Sequence, residues 1–108
     1  MSSVDEFERL QPQTFGRIRE ITVENSAEGA MRFQMILATD DPADARFLTL
    51  RCEDVTSLVL GDVHGGQWCV LTAADISDRQ WDGLYYAIND VEEEVLSLFC
   101  RTFTAEVE

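Results

Sequence analysis

The sequence contains no lysine: all eight of its basic residues are arginines, and they face 21 aspartates and glutamates. The formal net charge is −13 over 108 residues. Nucleic acids and anionic membranes attract proteins that neutralise them with Lys and Arg, so we expect neither as a partner. A basic protein is the natural complement, because opposite charges speed association and disfavour wrong partners. The same acidity would also serve solubility alone.

Residues that carry catalysis or hold metals are scarce. His64 is the single histidine, and Cys52, Cys69 and Cys100 form no C-x-x-C pair, so the short-spaced ligand pairs of a structural zinc site are missing. His64 lies in a Gly-rich loop without a nucleophile motif such as G-x-S-x-G. The chain also has no G-x-G-x-x-G phosphate loop. We therefore predict a protein that is not an enzyme and that has no cofactor and no metal.

Acidic clusters leave two other kinds of site to weigh. Aspartates in residues 75–82 and carboxylates in residues 90–94 have the oxygen ligands that Ca²⁺ prefers, but no EF-hand pattern accompanies them. Paired carboxylates also serve glycosidases, which need a deep cleft that short loops rarely build. A solvated acidic surface is the simpler interpretation of both clusters.

Long hydrophobic runs are absent as well. No apolar run approaches the roughly 18 residues that span a bilayer. The first ten residues, MSSVDEFERL, lack the basic and apolar regions of a signal peptide. Unpaired cysteines in apolar runs are typical of reduced core thiols. We therefore expect a cytoplasmic protein, folded as a single β-rich domain over residues 1–108.

Apolar residues at helical spacing occur only at the start of the chain. Ser3 and Glu6 fit a capping box, and Val4, Phe7 and Leu10 form one apolar stripe before Pro12. This pattern predicts one short N-terminal helix.

From residue 14 onward the period changes to two, which predicts strands separated by turns. The predicted strands begin at residue 14 and then cover 31–37, 47–52, 55–60, 67–72, 84–89 and 95–106. Residues 67–72 are apolar on both faces, which predicts a central strand. The fold class is all-β: an antiparallel sandwich or open barrel of seven to eight short strands with one short N-terminal helix.

Two segments resemble a known group of proteins. Residues 47–60 read as an apolar strand, Glu53-Asp54-Val55 and a second apolar strand. Residues 75–103 carry a D-x-S…W-x-G-x-x-Y-x-I-x-D pattern and end in a strand with Phe-Cys. Both resemble small bacterial β-rich proteins that include immunity proteins of polymorphic toxin systems. The resemblance implies a non-enzymatic, cytoplasmic protein that binds and blocks a toxin; no toxin-contact residue could be matched.

Two turns supply the candidate contacts for such a partner. The first combines an aromatic residue, an arginine and flanking acids, and Trp and Arg are enriched in interface hot spots. The second is the most acidic run of the chain. The predicted partner-binding residues are Asp78, Arg79, Trp81, Asp90, Glu92, Glu93 and Glu94.

Two functions remain open from sequence. The first is a small acidic protein-binding domain, such as an immunity protein that neutralises a basic toxin. The second is a self-associating assembly module that forms a homo-oligomer through an edge strand. The first predicts binding that weakens steeply with salt, and the second predicts self-association that salt barely changes.

Overall fold

A computed structural model of the chain describes residues 3–61, 68–76, 85–91 and 95–108. Within these ranges the chain forms one α-helix, one short 3-10 helix at Pro12–Thr14 and eight strands. The helix and strands are α1 Ser3–Arg9, β1 Arg17–Asn25, β2 Met31–Ala38, β3 Phe47–Glu53, β4 Thr56–Leu60, β5 Leu71–Asp75, β6 Tyr86–Asp90, β7 Leu96–Cys100 and β8 Thr102–Val107.

The strands form two four-stranded antiparallel sheets. Sheet A has the order β1-β2-β3-β8, and sheet B has the order β4-β7-β6-β5. Neither described sheet closes into a barrel. The predicted all-β class with one short helix is confirmed, in its sandwich form.

The core of sheet A follows from the period-two pattern. Phe33, Met35 and Leu37 on β2 are all at most 1% exposed. They pair in register with Cys52, Leu50 and Leu48 of β3, so the apolar residues of both strands point to one face. Each fully buried side chain of this kind contributes about 1.5–3 kcal/mol.

Sheet B contributes the opposite wall of the same core. Leu96, Leu98 and Cys100 alternate with the less buried Ser97 and Phe99 along β7. Buried residues of both sheets belong to one hydrophobic cluster.

A bent ribbon joins the two sheets. Along the chain, β3 continues into β4 and β7 continues into β8. In sheet A β3 pairs with β8, and in sheet B β4 pairs with β7. Asp54 bends the first strand with φ 51°, and the Arg101 N–H donates to the Glu53 carbonyl across the bend at 3.1 Å. Asp tolerates this left-handed conformation better than most residues. The Glu53-Asp54-Val55 motif is therefore the corner of the fold.

A second junction lies where β1 begins. Arg17 forms an isolated bridge with Trp68, and the Cys69 N–H donates to the Gly16 carbonyl at 2.8 Å. A Cβ at position 16 would lie 2.2 Å from the Trp68 ring. Only glycine permits this close approach.

The helix α1 packs against β8 and β5, which are edge strands of different sheets. Phe7 is 1% exposed and meets Phe103 edge-to-face at 5.9 Å between ring centroids. Phe103 in turn meets Tyr86 of sheet B at 5.0 Å. The predicted apolar stripe of the helix thus packs against the hydrophobic core.

Two predicted strands need correction. The single strand predicted for residues 95–106 is divided at Arg101, and its halves β7 and β8 lie in different sheets. The predicted central strand at residues 67–72 is also wrong. Trp68 takes part in an isolated bridge instead of a strand, and β5 runs from Leu71 to Asp75 at an edge of sheet B. Packing at the junction with β1 buries Cys69 and partly buries Trp68 and Val70, so an apolar pattern on both faces occurs here without a central strand.

Candidate functional site

Asp90 is the one predicted contact residue that falls within the described part of the chain. Its side chain is 3% exposed at the end of β6. The Val70 N–H donates to Oδ1 at 2.9 Å, and the Val95 N–H donates to Oδ2 at 3.1 Å. The carboxylate thus binds backbone groups on both sides of β6. This geometry gives Asp90 a structural role at the end of β6, and its role as a partner contact stays a prediction.

The other predicted contacts, Asp78, Arg79, Trp81, Glu92, Glu93 and Glu94, lie outside the described residues, as does His64. The strands around them are described. Asp75 pairs with Tyr86 at one end of β6, and Asp90 pairs with Leu71 at the other. The two acidic turns therefore leave β6 at opposite ends, about 14 Å apart by strand rise.

The outer face of sheet A is charged and internally paired. Arg32 forms an ion pair with Glu53 at 3.0 Å, and Arg51 pairs with Glu106 at 2.8 Å. Arg51 also donates to the Gln34 side chain at 3.0 Å. Arginines and carboxylates alternate across neighbouring strands, so this face offers mixed charge.

A further pair lies in the loop before β3. Arg46 donates to both carboxylate oxygens of Asp44, and this hydrogen bonding lowers the pKa of the Asp44 carboxyl to about 2. The guanidinium of Arg46 also lies over the Phe15 ring, 5.4 Å from its centroid.

The outer face of sheet B is different, because its described strand positions carry no charge. We call this surface the uncharged face; its members are Thr56 and Val59 of β4, Ser97 and Phe99 of β7, Ala87 and Asn89 of β6, Thr72 and Ala74 of β5, and Val91 just beyond β6. Val59 is 59% exposed and Val91 58% exposed. Both line one shallow depression together with Asn89, Asp90, Leu96 and Ser97.

Charge is unevenly divided along the chain. Residues 54–100, which contain every strand of sheet B, carry nine acidic residues and one arginine. The remaining residues carry twelve acidic residues and seven arginines. The segment that contains sheet B is therefore strongly acidic, whereas the described strand positions on the outer face of that sheet carry no charge.

The cysteines are free and buried, with no sign of a reactive nucleophile among them. Burial raises the pKa of the Cys69 thiol to about 12. A hydrogen bond with Cys100, followed by burial, raises the pKa of the Cys52 thiol. A raised pKa removes the thiolate that nucleophilic chemistry requires.

Among the residues that the structure describes, no group of three or more His, Cys, Asp or Glu is placed to hold a metal ion. No helix in the same ranges is long and apolar enough to cross a membrane.

Sequence reasoning missed Val59 and Val91 as surface residues. Val59 belongs to a run, Thr-Ser-Leu-Val-Leu, whose outer positions cannot be told from its inner ones by alternation alone. A bulge between Thr56 and Val59 shifts the register there, so only the pairing of Val59 with Ser97 assigns its face. Val91 lies between the acidic residues Asp90 and Glu92, and this charged sequence context was the one available indication that its side chain is exposed.

Residues 1–106 match a family described as "Immunity protein PIM8". Searches of curated proteins and of solved structures gave no match.

Proposed function

Because the chain belongs to the immunity protein family PIM8, whose match covers residues 1–106, we propose that it binds a protein toxin and neutralises it. That match is the observation that carries the proposal. Of the motif positions that carried the earlier resemblance, Asp54, Tyr86, Ile88 and Asp90 have structural roles. The family match extends that resemblance to nearly the whole chain.

In the proposed mechanism the protein binds the toxin and catalyses no reaction. The described residues include buried thiols with raised pKa values and paired surface charges, which suit a rigid binding domain. A tightly bound inhibitor blocks a toxin by covering its active site or by holding it inactive.

The proposed partner is basic. A net charge of −13 creates a negative field that attracts a cationic protein and raises its association rate. Salt screens such attraction, since the Debye length falls from about 30 Å at 0.01 M to about 8 Å at 0.15 M. We place the encounter in the cytoplasm, a compartment that keeps thiols such as these reduced.

A survival assay tests the proposal. We propose that the toxin is encoded beside this chain's gene, as expected for an immunity protein, and that toxin domain is expressed from an inducible promoter with and without this chain. We expect growth to stop with the toxin alone and to continue when both are expressed. An unrelated acidic protein of similar size serves as the control for charge alone. Arrest of growth despite well-expressed, folded protein would contradict the proposal.

A further inference from the structure

We propose that the uncharged face of sheet B is the surface that docks the toxin, and that the toxin presents to it an apolar centre surrounded by Lys and Arg. This inference rests on the proposed function and assigns the surface through which it acts.

The register partners of this face extend across all four strands of sheet B, and the row that contains Val59 is its open part, because Ala87 in the second row is only 6% exposed. One row runs through Val59, Ser97, Asn89 and Thr72, which are register partners on neighbouring strands. The next row runs through Thr56, Phe99, Ala87 and Ala74. Neither row contains a charge, in a chain that is 27% charged.

The exposed valines give this face an apolar patch beside its β4 edge. Val59 and Val91 are each more than half exposed and border one depression, which the buried side chains of Leu96 and Asp90 also line. Depletion of charged residues is what distinguishes the core of an interface from the rest of a protein surface. A four-stranded face of this length covers about 300 Å², by strand spacing and rise. A stable interface buries roughly 800 Å² on each partner, so the face supplies the centre and its surroundings supply the rim.

Charge identifies the occupant. The segment that builds sheet B carries nine acidic residues against one arginine. An apolar partner surface with a cationic rim would pair with such a segment, whereas an acidic rim would be repelled. A second copy of this chain carries the same excess of negative charge and is disfavoured by that repulsion.

The rest of the molecule offers weaker alternatives. The outer face of sheet A already pairs its arginines with its own carboxylates, as Arg32 does with Glu53 and Arg51 with Glu106. The edge of β4 is interrupted by a bulge with Ser57 at φ 53°, and bulges disrupt pairing with an added strand. Docking on the face is therefore favoured over extension of the sheet.

Two substitutions test the assignment against a matched control. Val59→Arg and Val91→Arg each place a cation in the apolar patch of the face. Val23→Arg makes the same change at another exposed valine, 42% exposed on the edge strand β1 of sheet A. The affinity of each purified variant for the neighbouring-gene toxin domain is measured by calorimetry, and thermal unfolding confirms that each variant is folded.

We expect Val59→Arg and Val91→Arg each to weaken binding about 30-fold or more, as substitutions at interface hot spots do. Val23→Arg should change the affinity less than about threefold, as is usual away from hot spots. Hydrogen exchange on the wild-type complex supplies a second readout, with protection expected in β4, β6 and β7.

Other results overturn the assignment. Wild-type binding that survives both sheet B substitutions, or protection confined to sheet A, would place the toxin elsewhere and leave the proposed function intact. A wild-type dimer that Val59→Arg dissociates without loss of toxin affinity would assign the face to a second copy. Failure of the wild type to bind the toxin at all would refute the proposed function itself.

Discussion

Replacing Asp90 by alanine should destabilise the fold, because its carboxylate ties together three parts of sheet B. It ends β6, accepts the Val70 N–H that precedes β5, and accepts the Val95 N–H that precedes β7. Hydrogen bonds to a charged group contribute about 1.5–3 kcal/mol each. Since the two bonds share one side chain and are not additive, we expect a total loss of about 3 kcal/mol.

Thermal and urea unfolding measure this loss. For a chain of this length a loss of about 3 kcal/mol lowers Tm by about 13 °C. It lowers the urea midpoint by about 1.5 M at an m-value of about 2 kcal/mol/M. Asp90→Asn keeps one acceptor oxygen of similar shape and should lose about half as much.

The same variants separate a structural role from a contact role. At temperatures where Asp90→Ala is folded, its affinity for the toxin should stay close to that of the wild type. An unfolding free energy within about 1 kcal/mol of the wild type would refute the proposed role of the two hydrogen bonds. Loss of affinity at unchanged stability would restore Asp90 as a contact residue.

Three further predictions concern the corner, the helix and the loop before β3. Asp54→Gly should preserve stability, whereas Asp54→Val should lower the unfolding free energy by about 1–2 kcal/mol, because φ at this position is 51°; equal urea midpoints would contradict this. Phe7→Ala should cost about 3–5 kcal/mol, since the ring is 1% exposed in the core; a Tm shift below a few degrees would show that the helix is dispensable. The Asp44 carboxyl should titrate near pH 2 by NMR, and Arg46→Gln should return its pKa toward 3.8, because Arg46 lowers it. Because the pKa of Asp44 is lower in the folded state than in the unfolded state, the pair's contribution to stability is present above pH 3.8 and is lost as pH falls through 2. An Asp44 titration that is unchanged in Arg46→Gln would refute the pairing.

Local patterns predicted much of the fold. The strict alternation of Met31, Phe33, Met35 and Leu37 predicted β2 and its buried face, and both are confirmed. The apolar stripe at the start of the chain predicted the helix that Phe7 anchors. These signals succeed because side-chain period and burial are local properties of a strand or helix.

Long-range arrangement was harder to predict. Residues 95–106 alternate almost without interruption, so nothing local shows that the chain changes sheets at Arg101. Trp68 and Cys69 pack against Gly16, about fifty positions earlier in the chain, and Cys69 is buried there. Such features depend on pairing between segments that are distant along the chain, and a single sequence does not show which segments pair.

The candidate site shows the same division. The sequence drew attention to acidic turns because charge is visible in composition, and that reasoning included Asp90, which is buried. The exposure of Val59 follows from its register with Ser97, which depends on the bulge in β4. Composition therefore supports a prediction about the charge of the partner, but it does not indicate which surface would meet that partner.

The affinity of the wild-type chain for the neighbouring-gene toxin domain, measured by calorimetry across a series of salt concentrations, tests the central claim most directly. The account predicts a one-to-one complex that is tight at low salt and weakens steadily as salt rises, because a chain of net charge −13 meets a basic partner. Absence of heat at low salt with both proteins folded would contradict the account.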